Sequence, residues 1–209
     1  MSNVRRLKSV NYRVMRNVPP GPKTVLLNGI VVGEVMSTGD TAQDAEAVRQ
    51  FLRSKGLYEA PSLFQAIQSQ AFAFANTSAH LYERDLRRPP RKGVSTVPFV
   101  VNSAFSIELY LKALAQKHGV TLRGHELLKL YKALPRKALV EIQTVTPQCA
   151  ANRALGEPPD FLAYLTSLNN TFVEWRYSYE LERTGAVHIE PTIFVMEVLH
   201  EACRLPTDA

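Results

Sequence analysis

From residue 62 onward, apolar residues recur every three or four positions in long runs divided by short breaks. This is the spacing of amphipathic helices. Ser62–Leu86 carries Leu63, Ile67, Phe74 and Leu81 on one face, with Ala66, Ala71 and Ala75 as small contact residues. The longest stripe is Val97–His118, where Val97, Val100, Ala104, Ile107, Leu111 and Leu114 align and Gly119 supplies the stop. His125–Leu134 predicts a short helix, and Arg136–Thr144 another after Pro135. Pro147 to Asp160 reads as a loop with room for a helical turn around Ala150–Leu155. Phe161, Leu165, Leu168, Phe172, Trp175 and Tyr179 then predict a long helix, and Pro191 suits the first residue of a last one, with Phe194, Val198, Leu199 and Ala202 inward. Five or six such helices pack most economically as an antiparallel bundle over residues 58–209.

Residues 1–57 follow another period. Val10–Arg16 is branched and strand-like, and Pro19-Pro20-Gly21 ends it. Thr24–Leu27 and Ile30–Met36 flank Asn28-Gly29, the pair favoured in a two-residue hairpin turn because both central positions need positive φ. Thr41-Ala-Gln-Asp44 can form a capping box, with Asp40 as a rival N-cap. Ala45, Val48, Phe51 and Leu52 then share a helical face that Gly56 ends. The expectation is a small antiparallel hairpin or meander plus a helix, a module to which a protein partner could dock. The fold class expected for the whole chain is therefore mainly α, a helical bundle with this small N-terminal β element.

Composition adds the partner class. The 209 residues are 45% hydrophobic and 21% charged, values that support a packed core. The net charge of +6 and a pI near 9.4 suit a polyanion, since lysine and arginine displace counterions from phosphates. Arg87, Arg88, Arg91 and Lys92, in the basic segment closed by Pro89-Pro90, are the candidate nucleic-acid contacts, joined by Arg5, Arg6, Lys8 and Arg13. Cys149 and Cys203 lack disulfide-framework and metal-ligand spacing and read as thiols of a reducing compartment. No signal-peptide pattern opens the sequence and no run of about 18 apolar residues occurs. A cytoplasmic location with no membrane contact follows as an expectation. Walker, dinucleotide-binding and His-Glu-x-x-His signatures are missing, so neither a metal nor a cofactor is expected.

Polar residues that break into the stripes are the informative ones. They are Glu108 and Lys112 in Ser106-Ile-Glu-Leu-Tyr-Leu-Lys-Ala-Leu114, His125 in Gly124-His-Glu-Leu-Leu-Lys-Leu130, and Arg176-Tyr177 after Trp175. In this order they resemble the HEPN domain (higher eukaryote and prokaryote nucleotide-binding) over about residues 96–182. The resemblance implies a helical bundle, frequently a homodimer, that binds RNA or nucleotide, with Glu108, Lys112, His125, Arg176 and Tyr177 forming its polar cluster and cleft. It also implies a bacterial defence or toxin–antitoxin setting. Many relatives are metal-independent ribonucleases in which an arginine and a histidine, with four to six residues between them, act on the phosphate and the ribose hydroxyl.

The sequence departs from that catalytic motif. The positions after Arg176 where the histidine belongs hold Leu181, Glu182 and Arg183, none of which shuttles protons at neutral pH. Arg183 and His188 have the required spacing, with Gly185 between them marking a loop. The expected function is therefore RNA or nucleotide binding without strong catalysis. A toxin-like endoribonuclease using Arg183 and His188, or an unfamiliar arrangement around His125 and Arg176, stands as one alternative, and a dimerising protein-interaction subunit as another. Glu108 is expected to meet Arg176 across neighbouring helices.

Overall fold

A computed structural model describes residues 19–27, 29–58, 60–155, 157–169, 175 and 187–206. The strand expected at Val10–Arg16, the N-terminal cations, Asn28, Phe172, Arg176, Tyr177, Tyr179 and Arg183 lie outside the described residues. The chain divides into two compact units, Met1–Ala60 and Pro61–Ala209.

In the first unit, β1 (Gly21–Leu27) pairs antiparallel with β2 (Ile30–Ser37), and a bulge falls between Val25 and Leu26. Gly29, at φ +81°, takes the left-handed conformation expected of the turn. Helix α1 (Thr41–Ser54) covers the face bearing Val25 and Gly33, which sit opposite each other. The Phe51 ring lies so close over Gly33 that a Cβ there would collide with it. The N-cap is Asp40, accepting from the Ala42 and Gln43 amides at 3.0 and 2.8 Å. The expected Thr41–Asp44 box does not form. Asp44 instead turns back to the end of β2, accepting from the Ser37 hydroxyl and, at 2.7 Å, the Thr38 amide. Those bonds hold its carboxyl below the ordinary range, the Ser37 bond foremost.

The second unit is a helical bundle built around α3 (Thr96–Lys117). Its other described helices are α2 (Leu63–Leu81), α4 (Leu127–Lys132), α5 (Arg136–Asn152), α6 (Phe161–Ser167) and α7 (Ile189–Arg204). Ser62 and Gln65 form a reciprocal capping box at the start of α2. A π-helical turn, Tyr82–Leu86, follows α2, and a short 3₁₀ turn, Gly93–Ser95, leads into α3. Ser106 donates to the Ala71 carbonyl at 2.9 Å and Ser78 to that of Phe99 at 3.5 Å, so α2 and α3 run antiparallel and touch through small residues. On its other side α3 meets α7, which also packs on α5 and α6.

Phe99, Ile107, Tyr110, Leu111, Leu114, Ile142, Leu165, Phe194 and Leu199 fill this core, each at most 1% exposed. Burying each such side chain contributes about 1.5–3 kcal/mol before entropy is counted. The stripe on α3 follows the expected positions except Val97, in the first turn, which is 38% exposed. With its preceding turn, α3 is long and apolar enough to cross a membrane, but most of that stretch is buried against neighbouring helices.

Three boundaries differ from the sequence reading. Helix α6 ends at Ser167 with Leu168 as its C-cap, where the helix was expected to run on through Leu168 toward Tyr179. Helix α5 continues through Pro147 to Asn152, where a loop was expected. A proline in a helix interior removes one backbone bond and crowds the preceding turn. Here the helix keeps going because Val145, Cys149 and Ala150 extend the face that Ile142 buries. Helix α7 begins at Ile189, so Pro191 is its third residue, still in the first turn where a missing N–H costs nothing.

Candidate functional site

Glu108 is 1% exposed and is the one charged residue among the buried positions of α3. A carboxylate there requires partners. Lys112, one turn on, brings its Nζ to 2.6 Å from Oε1. The chain after α3 turns back through Gly119 and Gly124, both at positive φ, and returns His125 to the same carboxylate. His125 Nδ1 is 3.1 Å from each carboxylate oxygen. A carboxylate only accepts, so Nδ1 carries a proton and donates to it. The His125 side chain is 68% exposed, and its Nε2 has no partner among the described residues. A buried carboxylate thus orients an exposed imidazole, whose Nε2 takes a proton from a hydroxyl when bare and donates to a phosphate when protonated. His125 precedes α4 rather than starting it, since Glu126 is the N-cap. Among the expected cluster, Glu108, Lys112 and His125 come together, while Arg176 and Tyr177 lie outside the described residues.

The basic segment is organised by an acid the sequence reading passed over. The Asp85 side chain is 2% exposed. It accepts from Ser95 Oγ at 2.6 Å and Arg84 Nε at 3.0 Å, and Lys92 Nζ stands 3.0 Å away. These contacts, that of Arg84 foremost, hold its carboxyl well below the ordinary range. Lys92 is thereby engaged in holding the loop, and Arg87 pairs with Glu83 at 2.7 Å. Arg88 and Arg91 are exposed and have no carboxylate partner among the described residues. Of the four expected phosphate contacts, these two keep their full charge for a ligand.

Three further polar groupings join residues far apart in sequence. Lys117, 1% exposed in its side chain, donates to Glu141 Oε1 at 2.8 Å, and His118 Nε2 meets the other Glu141 oxygen at 3.1 Å. Arg153, just past α5, pairs with Glu190 and Glu197 of α7 at 2.8 and 3.3 Å. Tyr110 and His200 Nδ1 are 2.8 Å apart, and Phe72 stacks on the same imidazole. Cys149 and Cys203 are free and buried, and burial raises their thiols to about 11 and about 12, so neither is a nucleophile at neutral pH. No group of three or more histidines, cysteines or acids able to hold a metal occurs among the described residues.

Burial, more than any charge, pushes the His200 imidazole below its ordinary value. The folded protein then keeps His200 neutral where the unfolded chain takes up a proton. Its contribution is fully present above about pH 6.5 and is lost as pH falls through the lowered folded value. The thermal midpoint is expected to drop as pH falls below about 6.5. His200→Gln, which keeps an acceptor for the Tyr110 hydroxyl, should flatten that slope. An unchanged slope in the variant would assign the pH dependence elsewhere.

His188 is exposed at the N-cap of α7, where its carbonyl accepts from the Thr192 amide at 3.0 Å and the Thr192 hydroxyl at 2.6 Å. Its expected companion Arg183 lies outside the described residues. No family model, curated protein or solved structure matches the chain.

Proposed function

We propose that the helical unit binds RNA or nucleotide in the manner the HEPN resemblance implies, without strong catalysis, in a bacterial defence or toxin–antitoxin setting. The observation that carries this reading is the buried Glu108 holding His125 at the surface with Nε2 outward. A fully buried carboxylate is a costly way to stabilise a core, and apolar residues of similar volume often do as well. Fixing an exposed imidazole gives it a purpose. Arg88 and Arg91 supply the electrostatic part of the affinity.

The test is fluorescence anisotropy with single-stranded RNA across a salt series. Log affinity should fall linearly with log salt, and Arg88→Gln/Arg91→Gln should reduce the slope by roughly 1.4, about 0.7 for each phosphate no longer neutralised. Binding that ignores both salt and these substitutions would defeat the reading. A second reading, metal-independent RNA cleavage, is favoured by the orientation of His125, whose Nε2 could take the proton of a ribose 2′-hydroxyl. Wild-type cleavage that disappears in a folded His125→Gln would establish it over the binding reading.

A further inference from the structure

An open cavity of about 270 Å³ lies where the C-terminal end of α3 meets the first turns of α5, lined by His118, Arg136, Lys137, Val140 and Glu141. Its charge is unusual for its position. Arg136 and Lys137 are the first two residues of α5, whose first turn has no acid and whose N-cap, Pro135, gives no side-chain bond. Two cations at a helix start oppose the macrodipole and leave the first amides without a side-chain acceptor. Nothing among the described residues offsets them. The carboxylate of Glu141 is already committed, one oxygen to Lys117 at 2.8 Å and the other to His118 at 3.1 Å. Lys117 itself is anchored on the Ala202 and Leu205 carbonyls at 3.3 and 2.8 Å. The His118 ring is therefore held rigidly through Nε2, with a side chain only 8% exposed, and its Nδ1 has no partner among the described residues.

We propose that this cavity binds a phosphate monoester, with Arg136 and Lys137 supplying charge and the imidazolium form of His118 donating to the ligand from Nδ1. The guanidinium fork and the ammonium together match a tetrahedral dianion better than a planar carboxylate, for which the fork alone would suffice. The volume, just under the usual small-molecule range of about 300–1,000 Å³, holds a phosphate with about one sugar ring, and the open side leaves the rest of a larger ester outside. Free phosphate and a nucleoside monophosphate share this chemistry. The site is separate from His125 and from Arg88 and Arg91, and it stands whether or not those residues bind RNA.

The full chain, isotope-labelled, is titrated with inorganic phosphate and separately with adenosine monophosphate at constant ionic strength, following the His118 imidazole resonances by NMR. A saturable shift is expected with at least one probe. Tighter binding of adenosine monophosphate identifies a nucleotide site, and equal binding identifies the phosphate alone as the ligand. Arg136→Gln/Lys137→Gln alters two exposed side chains and should fold normally. It should weaken binding at least about tenfold, the loss of one or more charge-assisted hydrogen bonds. Arg88→Gln/Arg91→Gln should bind as wild type does. Failure of both probes to saturate, an unweakened Arg136→Gln/Lys137→Gln, or equal weakening by Arg88→Gln/Arg91→Gln would each overturn the site.

Discussion

Replacing Lys117 with methionine is expected to lower the stability of the helical unit by roughly 3–5 kcal/mol, because it leaves a buried charge without its partner. The Lys117 side chain is 1% exposed, and its Nζ has three acceptors: Glu141 Oε1 and the carbonyls of Ala202 and Leu205. Those carbonyls stand at the end of α7, where the Ala202 carbonyl has besides Lys117 only the long 3.4 Å bond from the Leu205 amide and where a cation also complements the helix dipole. Methionine preserves the apolar stem and removes all three bonds at once. Glu141, 12% exposed in its side chain, then keeps only His118. For a unit of this size the loss corresponds to a fall of roughly 6–20 °C in the thermal midpoint. Lys129→Met, at a side chain 77% exposed, is the control and should be nearly silent. Adding Glu141→Met to Lys117→Met should recover part of the loss, since a buried pair replaced on both sides is often near neutral. Equal midpoints for Lys117→Met and Lys129→Met would show that the Lys117 bonds contribute nothing.

None of that cluster was visible as a cluster in the sequence. Lys117 and His118 read as the polar end of a helix, and Glu141 lies 24 residues beyond Lys117 on another element. Elements set by local rules were legible. Examples are the hairpin flanking Asn28-Gly29, the start of α2 at Ser62 and the inward face of α7. Tertiary packing decided the rest. Pro147 signalled a break that the buried face of α5 overrode, and Asp44 left its local capping role for the end of β2. Asp85 looked like one acid among many arginines, whereas the loop folds around it. The polar interruption at Glu108 was readable, because a carboxylate in an apolar stripe needs partners wherever it lies. Which partners it found depended on the turn at Gly119 and Gly124 returning His125 to α3.

Lys112→Met should be almost as costly as Lys117→Met, for a related reason. The Glu108 side chain is 2% exposed, and Lys112 is its closest cation, at 2.6 Å with a side chain 20% exposed. Removing Lys112 leaves the buried carboxylate with His125 alone among the described residues, a loss of roughly 3–5 kcal/mol. The cause is separable by adding Glu108→Gln, which keeps shape and acceptor but removes the charge. If the stranded charge is responsible, the double variant should regain most of the stability, and the cycle of single and double variants gives the coupling directly. No recovery would assign the loss to the packing of the Lys112 stem. His125→Gln should behave differently. Its side chain is 68% exposed, so the thermal midpoint should move little, by about 1 kcal/mol or less in stability. RNA affinity, measured on the same preparations, should nevertheless fall. A variant that keeps both stability and affinity would make the Glu108–His125 pair a bystander, and the binding site would have to be sought at other residues.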